Sequence, residues 1–167
     1  EQIYNDIILK LKEGNRPRIQ SSEALLELLI TGLTIENQDL DKYICIACHL
    51  ARPEKSLQAP LIQLLKRETK NETQVFILEA ITRHILDERM VSGNRLTPEF
   101  LSTFGQFLTS APKTTLTFAI GIIEGCGSQG IYFRKILKDL KWSFLDVFKK
   151  DSREVISRIE ALENNWQ

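Results

Sequence analysis

At 167 residues, with 43% hydrophobic and 26% charged residues, the chain has the make-up of a globular protein long enough to bury a core. Lys+Arg and Asp+Glu number 22 each, so the formal net charge is zero. That balance argues against a dedicated nucleic-acid binder and against a polybasic membrane-surface protein.

Helix signals follow one another along the chain. A first helix is expected over 2–13, striped by Ile3, Ile7, Ile8 and Leu11 and stopped by Gly14. Ser21 or Ser22 caps a second, to about 32, and Asn37 a third, to about 51. Arg52-Pro53 ends that one, because a residue before proline avoids the helical region. A fourth covers about 57–69, with Pro60 tolerated in its first turn, and Thr73 opens a fifth, to about 88. Ser92-Gly93-Asn94 reads as a loop. Thr97-Pro98-Glu99 then supplies a cap, a proline at the first position and an acid in the first turn of a sixth helix, to about 109. Further helices are expected over 113–124, 131–140, 142–149 and 152–164. The reading is all-α.

Apolar pairs recur through these elements. Leu28-Leu29, Leu64-Leu65, Phe107-Leu108 and Val147-Phe148 stand at offsets of 36, 43 and 40 residues. A spacing of this size marks helical hairpins that bury their apolar faces on one another. The terminal helices are apolar on one side, as Val155, Ile159, Leu162 and Trp166 show for the last. The middle ones are apolar around most of their circumference.

The stretch Ala59-Pro60-Leu61-Ile62-Gln63-Leu64-Leu65, followed by Val75-Phe76-Ile77-Leu78-Glu79-Ala80-Ile81, resembles the HEAT-like (armadillo-type α-α superhelix) repeats. Asp151-Ser152-Arg153-Glu154-Val155 is similar to the family's acid-then-valine junction. Phe76 departs from the arginine usual at its position, and the middle junctions lack aspartate. The resemblance implies a solenoid of about four antiparallel hairpins forming one domain over 1–167. It also implies a concave face of second helices and a role in binding rather than catalysis.

Two motifs suggest chemistry. Cys45-Ile46-Ala47-Cys48-His49 matches C-x-x-C-H, where two thiols and an imidazole attach and ligate a c-type haem, with Met90 as a conceivable opposite ligand. The competing reading is that Cys45 and Cys48 are small residues of a packed helix pair. Gly125-Cys126-Gly127-Ser128-Gln129-Gly130 matches G-x-G-x-x-G. Residues 114–123 are rich in β-branched side chains and can be read as its strand, 131–140 as its helix, and Asp146 as its ribose acid. Too little chain follows Asp146, and too much helix precedes 112, for a parallel sheet. A helix end and a turn is the reading that remains. No nucleophile set stands out around His49 or His84, and no cofactor, metal or catalytic residue is assigned.

The favoured expectation is therefore a non-catalytic protein- or peptide-binding scaffold. With the second helices 38–51, 73–88 and 113–125 lining the concave face, its contact residues are Lys42, His49, Phe76, Glu79, Arg83, Thr117 and Glu124. Glu79 and Arg83 are expected to pair at i, i+4. One alternative is a nucleic-acid-binding HEAT-like protein using Arg134, Lys135, Lys138, Lys141, Lys149 and Lys150. The other is the haem protein through Cys45, Cys48 and His49. No apolar run reaches the about 18 residues of a membrane span. Three cysteines in a chain this size suggest reduced thiols and a cytoplasmic location. The start at Glu1 rather than Met is what a processed or excised product would show.

Overall fold

The computed structural model describes residues 2–35, 39–68, 70–87, 89, 95–110, 113–147 and 152–166, without the side chains of 113, 114, 142–147 and 152. Among the described residues there is no strand; the one extended pairing is an isolated parallel bridge between Ile19 and Leu50. The fold is all-α, and no helix among the described residues is long and apolar enough to cross a membrane. The chain divides into two compact units, Glu1–Asn94 and Arg95–Gln167.

In the first unit, α1 (Gln2–Lys12) stops where the sequence places its stop. Gly14 adopts φ 79°, a left-handed conformation that costs glycine little. Its N–H donates to Leu11 O at 3.1 Å, and the Asn15 N–H donates to Lys10 O at 2.9 Å. These two bonds satisfy helix-end carbonyls in the manner of a Schellman turn. α2 (Glu23–Thr34) starts at Ser22, whose Oγ accepts from the Leu25 N–H at 3.2 Å. α3 (Leu40–Cys48) begins after Asp39; the expected cap Asn37 lies outside the described residues.

A 3₁₀ turn at Lys55–Leu57 leads into α4 (Gln58–Arg67), where Pro60 sits in the first turn. α5 (Asn71–Ile81) starts two residues before the expected Thr73. Thr73 does not cap it, because its buried hydroxyl donates instead to Asp41 Oδ1 at 3.3 Å.

α5 runs on into a π-turn, Thr82–Leu86. The Thr82 hydroxyl donates back to Leu78 O at 3.0 Å, a bond that loosens the regular ladder and bends helices. Contacts run between α2 and α3, α4 and α5, α2 and α4, α3 and α5, and α1 and α3. Ile7, Leu29, Ile44, Leu61, Leu64 and Ile77 are fully buried at these contacts. Gly32 of α2 is there for proximity, since a Cβ on it would stand 2.5 Å from the Tyr43 ring.

The second unit contains α6 (Pro98–Ser110), α7 (Lys113–Gly125), a 3₁₀ turn (Gly127–Phe133), α8 (Arg134–Val147) and α9 (Ser152–Asn165). The Thr97 Oγ1 accepts from the Phe100 N–H at 3.1 Å, so the expected cap is made. Two expected helices, 131–140 and 142–149, are one continuous α8 starting at Arg134; residues 148–149 lie outside the described residues.

The β-branched stretch of α7 is helical. Thr115, Leu116, Ala119, Ile120, Ile122 and Ile123 are all buried, and packing on several sides outweighs a weak local preference for strand. Phe104 is the centre of an aromatic cluster, 5.5 Å from Phe100, 5.9 Å from Phe107 and edge-on to Phe133 at 5.4 Å. In α9, Val155, Ile159 and Leu162 are buried and Glu154, Ser157 and Glu160 are exposed, as the one-sided stripe requires.

The recurring apolar pairs are core residues at Leu64-Leu65 and Phe107-Leu108. In the first pair only Leu29 is buried; Leu28 is 49% exposed. The Val147 side chain and Phe148 lie outside the described residues.

Candidate functional site

The last carbonyls of a helix have no partner within it and must be satisfied from outside. In the first unit, side chains of neighbouring helices supply the partners. Arg67 of α4 donates to the carbonyls of Leu33 and Thr34 at the end of α2. The π-turn after α5 supplies partners for the end of α3 and for the loop that follows it. Arg83 Nη2 donates to Leu50 O at 2.8 Å and Ala51 O at 2.7 Å. His84, fully buried, has its Nε2 2.6 Å from Ala47 O, while its Nδ1 accepts from the Glu54 N–H at 2.9 Å.

With a carbonyl at one ring nitrogen and an N–H at the other, neutral imidazole protonated on Nε2 satisfies both partners. Burial, the largest influence, lowers the His84 pKa below its ordinary value.

Beside this clasp lies a cleft of about 480 Å³. One wall is the loop after α1, where Arg16, the buried Pro17 and Arg18 follow one another. The loop is pinned by two backbone bonds, Ile19 N–H to His49 O and Ala51 N–H to Ile19 O, both 2.8 Å. The other walls are the end of α3, with Cys48 and His49, and α5 with its π-helical continuation, carrying Glu79, Arg83 and Asp87. Arg83 Nη1 pairs with Asp87 Oδ2 at 3.3 Å. Arg16, Arg18 and Glu79 are exposed and have no ion-pair partner among the described residues.

Of the residues expected to form a contact surface, His49, Glu79 and Arg83 come together in this cleft. Phe76 stands one turn from Glu79 on α5 and is 45% exposed, so it is an outward aromatic. The expected Glu79–Arg83 pair is not made: the guanidinium turns to Asp87 and to two backbone carbonyls. Arg83 is therefore held in the scaffold at the edge of the cleft. Lys42, also on α3, pairs with Asp39 at 3.5 Å and lies over the Tyr4 ring at 5.6 Å.

Thr117 and Glu124 belong to the second unit. There Arg158 of α9 donates to Glu124 Oε1 at 2.6 Å and to Thr117 O at 3.4 Å. Arg16, Arg18 and Asp87 were not singled out from sequence. The available signal was the Arg-Pro-Arg triplet, whose buried proline leaves an arginine exposed on each side.

The C-x-x-C-H residues are half-buried at the end of α3. His49 Nδ1 lies 2.8 Å from Cys45 O, so the Nδ1–H donates there and Nε2 is left as an acceptor. The Cys48 thiol donates to Phe76 O at 3.8 Å. Burial first, then the Glu79 charge, pushes Cys48 up to about 12 and raises Cys45 in the same direction, so both remain thiols rather than reactive thiolates. Met90 lies outside the described residues, and among those described no group of three or more His, Cys, Asp or Glu could hold a metal ion.

The G-x-G-x-x-G segment lacks the strand a phosphate-binding turn follows, since α7 precedes it. Gly127, at φ 58°, turns the chain, and a Cβ on Gly130 would stand 3.0 Å from Trp166 Cζ2 and 3.1 Å from Ile123 O. These two glycines answer to turning and packing. The side chain of Asp146 lies outside those described. In the basic segment Arg134, Lys135 and Lys138 are exposed. Lys141 is bound between Glu160 at 3.2 Å and Glu163 at 3.4 Å; Lys149 and Lys150 lie outside the described residues.

Comparison with family models, curated proteins and solved structures gives no match to this chain.

Proposed function

We propose that the chain is a HEAT-like stack of helical hairpins that recognises a protein or peptide segment without catalysing a reaction. In this reading α2–α3 and α4–α5 are successive hairpins. They stack through α2 on α4 and α3 on α5, with α3 and α5 forming the recognition face. The observation that carries the reading is the cleft itself. Its frame is fixed by bonds to backbone carbonyls, while Arg16, Arg18 and Glu79 on its rim are exposed and unpaired among the described residues. A rigid frame with uncommitted charges binds a partner at little ordering cost. Three free thiols fit the same protein working in a reducing, cytoplasmic setting.

Phe76 and Phe118 provide the test, being exposed to almost the same extent, 45% and 47%, in different units. A photo-crosslinking phenylalanine analogue is placed at each in turn, and the protein is irradiated in cell lysate. Discrete adducts at position 76 and not at 118 are expected. Equal labelling at both, or none at 76, overturns the assignment of this face.

A further inference from the structure

We infer that the cleft selects a peptide segment of mixed charge, with an anionic side chain held between Arg16 and Arg18 and a lysine or arginine set against Glu79; this rests on the recognition role proposed above. Arg16 and Arg18 flank a buried proline on a loop fixed by two backbone bonds, so their backbones are positioned before any ligand arrives. Two guanidinium groups lining one cleft match the planar, multiply accepting oxygens of a carboxylate or a phosphorylated hydroxyl.

The opposite wall argues against a uniformly anionic ligand. Glu79 is exposed and unpaired among the described residues, and it would repel the next phosphate of a nucleic-acid backbone. Asp87 exerts less of that repulsion, because Arg83 is bound to it. A segment carrying both signs satisfies both walls. His49 adds an acceptor at Nε2 for a ligand N–H, its Nδ1–H being committed to Cys45 O.

The scale also suits a short stretch of chain. From Phe76 to Arg83 the helical rise is about 10 Å, roughly three residues of extended peptide. A ligand basic residue at Glu79 places its neighbour within reach of the exposed Phe76 ring, which offers an apolar contact one turn away.

The experiment selects ligands from a displayed library of random peptides against the whole chain. Each selected peptide is then titrated by fluorescence polarisation against the wild type, the double variant R16E/R18E and Glu79→Lys. These three side chains are exposed and unpaired among the described residues, so circular dichroism should show unchanged helix content.

Selected peptides should combine acidic and basic residues, bind R16E/R18E about tenfold or more weakly, and lose affinity steeply with salt. Changing the peptide's acid to lysine should restore binding to R16E/R18E. Versions of one peptide bearing glutamate, phosphoserine or alanine at that position separate the two anion sources, and equal affinity of all three overturns the inference. Peptides selected without acidic residues, or bound equally by R16E/R18E, overturn the charge pairing while leaving the recognition role standing. Failure to select any peptide overturns that role, and this inference with it.

Discussion

Both units of this chain bury an apolar core, but the contacts added to that core differ in emphasis. In Glu1–Asn94, long polar side chains reach across to helix ends and the loops beyond them: Arg67 to α2, His84 to α3, and Arg83 to the loop after α3. In Arg95–Gln167, cohesion centres on packed rings, with Phe104 touching Phe100, Phe107 and Phe133, and on half-exposed ion pairs from Lys141 and Arg158. Hydrogen bonds to carbonyls are directional and fix where a helix end sits. Aromatic burial is stronger per residue but less directional. The lesson is that the unit with the directional bonds is also the one that frames the charged cleft, since a site needs its walls fixed more than it needs a larger core.

That contrast can be broken at the second unit's centre. Phe104→Ala removes a fully buried ring from the cluster and should cost about 3–5 kcal/mol. Urea unfolding followed by hydrogen exchange should show protection lost in α6 and α8 and retained in α2–α5. Equal loss in both units would mean they do not behave separately.

At the first unit's clasp, His84→Gln should cost about 1–3 kcal/mol, as two buried bonds lose their geometry. The wild type carries a pH signature as well. His84 has a folded pKa below the ordinary 6.5, so the unfolded chain binds the proton more readily. Its contribution is complete above pH 6.5 and is lost as pH falls through the folded value. Thermal melts of wild type and His84→Gln should therefore converge on acidification below that point. Parallel curves would place the acid sensitivity elsewhere.

Arg83→Ala removes two bonds to loop carbonyls and the Asp87 pair from a partly buried position, for about 2 kcal/mol. Because the Leu50–Ala51 segment backs the Arg16–Arg18 loop, this variant should also weaken any ligand of the cleft. An unchanged melting point would show that the clasp is not structural. Arg158→Ala, at a half-exposed pair, should cost less than about 1 kcal/mol and be masked by salt. A larger loss would bring the second unit closer to the first in character.

Much of the fold was legible from local signals. Helix starts at Ser22 and Thr97, the stop at Gly14 and the one-sided stripe of α9 all stand where the sequence puts them. Each depends on residues within a turn or two, and such interactions survive in any context that permits a helix. The candidate site was legible in part: His49 and Glu79 line the cleft and Phe76 faces outward, while Thr117 and Glu124 belong to another unit.

The sequence by itself determined that this is a helical protein, where several helices start and stop, and which stripes are apolar. Only the tertiary structure decided that Arg83 serves Leu50 and Ala51 rather than Glu79. It also decided that Arg16 and Arg18 face α5. The bonds that settle these points join residues about thirty or more apart, Ile19 to His49 and Arg83 to Leu50 among them. A guanidinium can satisfy any exposed carbonyl or carboxylate within reach, so its partner is fixed by which helices pack together, and no local pattern encodes that.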